Sequence, residues 1–229
     1  MNIMKTEFVF KIPVVGNAYT GKTTFLLKNS MNKFFDSRLT VGSGFIAQDT
    51  EVTVFNKSSD KFLSFQVKIV YWDLAGNARF RHLLASYLSG ANAVIVVYDT
   101  RYSSMISLDY WMDMVSRHAK EAIPYSVVVC SKMDEPVKCD DFNKRFIAST
   151  DKKCQENGYL GHYLTSSRTD KPQKTFTPIT DVIIALLKNL GHVKINETDE
   201  INISTLEKSA FIVVPLYIES MRGITQYVD

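Results

Sequence analysis

The sequence predicts an α/β domain built on a mostly parallel, six-stranded sheet with helices on both faces. Three observations carry this: a Gly-x4-Gly-Lys-Thr loop at residues 16–23, a long hairpin after it, and a regular alternation of strand-like and helix-like segments from residue 93 to residue 190. Strands separated by helix-length segments pair in parallel through right-handed crossovers, which places helices on both faces of the sheet.

The first strand is read at Glu7–Val15, a short run rich in β-branched and aromatic residues. Gly16–Thr23 then forms the turn into a helix that begins at Thr24. In such a turn successive backbone N–H groups and the positive end of the helix dipole face an anion. Lys22 adds a mobile charge for the outer phosphates, and the Thr23 hydroxyl is a ligand for the Mg²⁺ that accompanies them. Gly44–Phe55 and Phe62–Trp72 flank the polar tip Asn56–Lys61 as a hairpin. Strands follow at Ala93–Tyr98, Tyr125–Cys130 and His162–Thr165, with helices near Ser104–Lys120, Asp141–Glu156 and Ile179–Leu190. In sheets of this kind ligands sit at the carboxyl ends of strands. Asp73, at the end of the third strand, is placed for a second contact to Mg²⁺, and Gly76 lets backbone approach the terminal phosphate.

The 229 residues, 45% hydrophobic and 22% charged, suffice for one full-sized domain and a remainder. Residues 1–193 are expected to form the domain, and 194–229 a linker and C-terminal extension. A net charge of +3 is too small to argue for nucleic acid. No apolar run approaches the roughly 18 residues of a membrane span, and the amino terminus lacks a signal-peptide layout, so a soluble protein in a reducing cytosol is expected. Cys130, Cys139 and Cys154 have no paired count and no Cys-x-x-Cys spacing, and the four histidines are scattered, so neither a disulfide framework nor a metal cluster is expected.

The fifth strand ends in Cys130-Ser131-Lys132-Met133-Asp134 and the sixth in Thr165-Ser166-Ser167-Arg168. With Trp72-Asp-Leu-Ala-Gly-Asn-Ala-Arg-Phe-Arg81 these segments resemble the Ras superfamily of small GTPases, and its Rab branch most closely, over about residues 7 to 190. The resemblance implies the phosphate-loop fold called a G domain, a guanine nucleotide with Mg²⁺ as ligand, GTP hydrolysis, and a Rab-type switch in vesicle trafficking. It implies effector, exchange-factor and GTPase-activating partners at the switch regions, and a cytoplasmic protein, peripheral to endomembranes through partners or further sequence. Residue by residue, Asn17, Ala18, Tyr19, Thr20, Gly21, Lys22, Thr23 and Thr24 would wrap the phosphates. Thr40 of Thr40-Val41-Gly42 would join Thr23 and Asp73 at the metal and act with Asn77 in catalysis. Asp134 would accept two hydrogen bonds from the guanine edge, the stem of Lys132 would cover the base, and Phe34 would pack against it. Backbone N–H groups of Ser167 and Arg168, in the segment opened by Ser166, would meet the guanine carbonyl. Taken alone, Asp134 reads equally as a helix cap.

Four departures fall on the residues of this pattern. Asn77 replaces the Gln that orients the attacking water; its amide is one methylene shorter, and misplacement by about 1 Å costs roughly a hundredfold, so slow hydrolysis is expected. Ala18 crowds the terminal phosphate in the same direction, while Tyr19 is expected to point outward, to a partner or to solvent alone. Ser131 replaces an Asn that braces the phosphate loop and bonds the base, for an expected loss of roughly 1–3 kcal/mol of nucleotide affinity. The Thr40–Asp73 segment is about ten residues longer than Rab spacing and Lys22–Thr40 about one shorter, which leaves the reach of Thr40 to the metal open.

The chain ends in Gln226-Tyr227-Val228-Asp229, so prenylation and membrane association are not expected from this terminus. A polar linker near Asn196–Ser204 leads to the strand-like run Ala210–Tyr217. At an offset of 202 residues, Pro13, Gly21, Thr23 and Phe25 fall on Pro215, Gly223, Thr225 and Tyr227, which reads equally as the degenerate start of a second such domain or as an apolar segment docking on the domain or a partner. Two rival functions remain: a scaffold that holds nucleotide with negligible turnover, and a phosphate-loop ATPase that has lost guanine preference through Ser131.

Overall fold

The computed structural model describes residues 6–31, 34, 43–56, 61–135, 140–190, 200–205 and 210–214. Six strands form the expected sheet: β1 (Thr6–Val15), β2 (Ser43–Asn56), β3 (Lys61–Leu74), β4 (Ile95–Asp99), β5 (Val127–Ser131) and β6 (Gly161–Leu164). Their order is β6-β5-β4-β1-β3-β2, and every pairing is parallel except the β2–β3 hairpin. The central strands β4 and β5 are buried at all five positions each, as continuous Val-rich runs between two helical layers must be.

The sheet divides the core in two. On one face Ile12, Val14 and Ile95 pack with Phe25 and Leu26 of α1 (Lys22–Met31) and with α6 (Pro172–Asn189). Buried Ile179, Val182, Ile183, Leu186 and Leu187 recur on α6 at the spacing of one helical face. On the other face Val94, Val96 and Tyr98 meet Trp111, Met112 and Val115 of α4 (Leu108–His118). Burial of each such side chain stabilises the fold by about 1.5–3 kcal/mol.

Several boundaries differ from the sequence reading. The helix expected from Ser104 is broken into α3 (Tyr102–Met105) and α4, followed by a 3-10 segment, Lys120–Tyr125. The Ser103 carbonyl is taken by Ser107 Oγ at 2.8 Å and Asn17 Nδ2 at 3.0 Å, side-chain bonds that compete with the helical ladder. A 3-10 segment at Ala78–Leu83 leads into α2 (Leu84–Leu88), which the sequence reading did not include. Helix α6 begins seven residues before the expected Ile179, with Pro172 in its first turn and Pro178 inside it. Between β5 and β6 runs α5 (Asp140–Glu156).

The segment read as a polar linker contains a strand, β7 (Glu200–Thr205), and β8 (Ala210–Val214) follows it; both pair antiparallel with β2. Ile201 and Ile203 stand opposite Val54 and Val52, which are fully buried, and pack against the core. The long hairpin thus has an apolar edge that β7 covers. Register shifts by two residues between β7 and β8, an even number that keeps the in–out alternation in phase. Positions 215–229, which carry the offset repeat, lie outside the described residues, as do Cys139 and the hairpin tip 57–60. Cys130 and Cys154 are buried, and burial pushes each thiol up to about 12. His162 bridges Tyr98 Oη at 2.9 Å and Asp151 Oδ1 at 2.6 Å, and burial lowers its pKa. Among the described residues no helix is long and apolar enough to cross a membrane.

Candidate functional site

The loop between β1 and α1 is curled by three residues with positive φ: Gly16 at 145°, Tyr19 at 64° and Gly21 at 84°. At Gly16 a side chain is excluded outright, since a Cβ would fall 2.0 Å from the Val97 carbonyl oxygen. Tyr19 is the unusual member, a non-glycine in the left-handed region, and the residue is 60% exposed, as the outward reading requires. Thr20 Oγ1 bonds the Asn17 carbonyl at 2.9 Å and closes the turn.

Lys22 points back over this curl. Its buried ammonium donates to the carbonyl oxygens of Gly16 at 3.1 Å and Asn17 at 2.7 Å. Burial lowers its pKa from 10.5 to about 8; Arg101 acts in the same direction, and Asp73 and Asp99 oppose it. At the end of β3, Asp73 is fully buried, and its Oδ2 accepts the Thr23 hydroxyl at 2.5 Å. Burial raises its pKa, while Thr23 and then Lys22 act against that rise. Its second oxygen, Oδ1, is buried and makes no hydrogen bond among the described residues. An orphaned carboxylate oxygen beside a threonine hydroxyl is a donor set of the hard, oxygen-only kind that Mg²⁺ takes.

Gly76 closes this end. A Cβ there would lie 2.3 Å from the Gly16 carbonyl oxygen and 2.4 Å from the Ala18 nitrogen, so only glycine lets the segment after β3 touch the phosphate loop. The next residue, Asn77, caps the 3-10 segment: its Oδ1 accepts the Arg79 N–H at 3.1 Å. The Arg81 guanidinium then lies 4.4 Å from the centre of the Tyr110 ring, and neighbouring Trp111 donates Nε1–H to Asn17 Oδ1 at 2.9 Å.

At the other end of the site lies an open pocket lined by Gly21, Thr24, Phe34, Ser131, Lys132, Asp134, Glu135, Ser167 and Arg168. Except for Glu135, these are residues expected from the sequence, drawn from four separate segments. Ser166 stands behind them: its hydroxyl donates to Asp134 Oδ1 at 2.5 Å and accepts the N–H groups of Arg168 and Thr169. Arg168 lies 3.7 Å from Asp134 Oδ2 and 5.4 Å from the Phe34 ring. Asp134 thus lines the pocket. Lys132 holds a left-handed backbone angle of 57°.

One expectation changes in kind. Ser131 keeps the brace on the phosphate loop, since its buried hydroxyl lies 2.5 Å from the Thr20 carbonyl and 3.1 Å from that of Tyr98. Thr40 lies outside the described residues. The sequence reading missed Glu135, Arg101, Trp111 and Asp99. Asp99 had a signal: like Asp73, it is a carboxylate ending an apolar strand run.

Comparison with known proteins adds independent support. Residues 11–134, just over half of the chain, match the family described as "Ras of Complex, Roc, domain of DAPkinase". Similar curated proteins include a Ras-related protein RABA5e of Arabidopsis thaliana, 28% identical over 84% of this chain and 81% of its own length. Ras-related protein Rab-1D of Dictyostelium discoideum is 26% identical over 89% of this chain and 92% of its own. GTP-binding protein YPTM1 of Zea mays is 32% identical, over about half of each chain.

Proposed function

The chain belongs to the Ras superfamily of small GTPases as a Rab-like member, and from that premise we propose a guanine-nucleotide switch of the trafficking type whose own hydrolysis step is slow. The observation that carries the ligand assignment is continuity. Gly21 and Thr24, at the phosphate loop, line the same pocket as Lys132, Asp134 and Ser167. A nucleotide laid along it puts its phosphates over the N–H groups before α1 and its base against Asp134. A carboxylate accepts from the two adjacent N–H donors of a guanine edge and leaves adenine unsatisfied, a mismatch that buried polar sites reject strongly.

Thr23 and Asp73 would hold Mg²⁺, which supplies charge neutralisation at the outer phosphates. Lys22 reaches those phosphates by leaving its two loop carbonyls. Gly76 couples their presence to the segment beginning at Asn77, and the Thr40 and Asn77 regions rearrange when the terminal phosphate leaves. Slow hydrolysis is supported by the position of Asn77, whose side-chain oxygen is engaged as a helix cap and whose amide is short for orienting water. That same observation favours a second reading, a nucleotide-holding scaffold with negligible turnover. Effectors, an exchange factor and a GTPase-activating protein would read the switch face. A cytoplasmic location, peripheral to endomembranes, fits such partners.

One experiment tests these readings in sequence. Titration of the full chain with GTP, GDP and ATP in the presence of Mg²⁺ should show binding of both guanine nucleotides and at least a hundredfold discrimination against ATP. Equal affinity for ATP would sink the guanine assignment and favour the ATPase. Phosphate release in a single turnover, alone and with a stimulating partner, then separates a slow switch from a scaffold.

A further inference from the structure

At the end of β4 one carboxylate joins the two halves of the site. Asp99 is 1% exposed. Its Oδ2 accepts Arg101 Nε–H at 2.7 Å and lies 3.4 Å from Lys132 Nζ, while Oδ1 accepts the backbone N–H of Arg101 at 3.3 Å. Its own N–H donates to Ser104 Oγ at 3.0 Å, which fixes the strand end. The two cations lead in opposite directions. The Arg101 guanidinium continues to the Ala18 carbonyl of the phosphate loop, 3.3 Å away. Lys132 leads into the base pocket beside Asp134.

We propose that Asp99 is a positioning residue for nucleotide binding, holding Lys132 ready over the base and Arg101 against the phosphate loop, so that the two ends of the nucleotide are gripped as one unit. The inference rests on the guanine-nucleotide reading above. Lysine has four rotatable bonds, and without an ionic anchor its stem would have to be ordered when the base arrives. Asp99 supplies that order beforehand. Arg101, tied to the same carboxylate, fixes the direction of the Ala18 carbonyl and with it the aim of the adjoining loop amides.

Charge alone predicts the opposite sign. Asp99 is an anion near a polyphosphate site, so by Coulomb's law its removal would strengthen phosphate binding. Positioning predicts weakening. In the full chain with Mg²⁺, Asp99→Asn should weaken GDP binding by roughly ten- to a hundredfold and binding of inorganic triphosphate, which has no base to cover, by less. Lys132→Met, which keeps the stem and loses the ammonium, should weaken GDP more than it weakens triphosphate. In that background Asp99→Asn should cost GDP no more than it costs triphosphate.

Should Asp99→Asn fail to fold, a cycle of Lys132→Met and Arg101→Gln carries the test, since the Arg101 side chain is 42% exposed. Both cations bond the same oxygen, so their effects on GDP should be non-additive. Unchanged or tighter GDP binding by Asp99→Asn, or strictly additive effects in the cycle, overturns the proposal. A wild-type chain that binds neither GDP nor triphosphate overturns the nucleotide reading itself, a result distinct from wild-type binding that Asp99→Asn leaves intact.

Discussion

Guanine-nucleotide binding by this chain should take up a proton at mildly alkaline pH, through Lys22. Burial lowers the pKa of that ammonium to about 8, aided by Arg101 and opposed by Asp73 and Asp99. A bound polyphosphate places several negative charges beside it and restores a high pKa. The free protein therefore loses the Lys22 proton as pH rises through about 8, while the complex keeps it, so binding is favoured where the proton is already present. Between pH 7.5 and 8.5 the linkage amounts to about a threefold loss of affinity, with uptake of about three quarters of a proton at pH 8.5.

Stability moves the other way. The unfolded chain holds this proton up to about pH 10.5 and the folded, nucleotide-free protein only to about 8, so Lys22 makes the fold more stable as pH rises across that window. Weaker binding accompanied by a higher melting temperature thus excludes alkaline unfolding as the cause. Calorimetry of GDP binding with Mg²⁺ at pH 8.5, in two buffers of different ionisation enthalpy, reads the uptake directly. Identical heats in both buffers, together with an affinity flat in pH, would refute the assignment of Lys22 as the buried phosphate ligand.

Asn77→Gln should speed single-turnover GTP hydrolysis by tenfold or more, while loss of the cap on Arg79 N–H costs about 1 kcal/mol of stability; an unchanged rate would show that another group limits the step. Ser131→Ala removes the bond to the Thr20 carbonyl and should weaken GDP by about tenfold, whereas Ser131→Asn, which adds reach to the base, should tighten it in a fluorescent-nucleotide titration. Ile203→Asp places a charge over buried Val52 and should lower the melting temperature by about 5–10 °C. A melting curve identical to wild type would show that β7 contributes nothing to the core.

The amino-acid sequence by itself determined the doubly covered sheet, because Val-rich runs such as Val127–Val129 have no stable place except between two helical layers. It also determined the chemistry of both ends of the site. Gly16 and Gly21 sit at positive φ in the loop, and Lys22, Thr23, Asp73 and Asp134 stand at the turn and strand ends that the pattern marks, so these carry short-range signatures; Gly76 is required instead by the close approach of the phosphate loop. Tertiary structure alone decided how these residues are held. The pairing of Asp99 with Lys132, and the capture of the Ser103 carbonyl by Asn17, join residues far apart in the chain. The break between α3 and α4 accompanies the capture of the Ser103 carbonyl, whereas the early start of α6 at Pro172 follows a local signal. The β7 segment, a polar stretch with two isoleucines, becomes a strand only because β2 offers it an edge and sets Val54 and Val52 opposite those isoleucines. Local patterns record what each segment prefers; which partner satisfies a buried charge or an open edge depends on distances that exist only after the chain has folded.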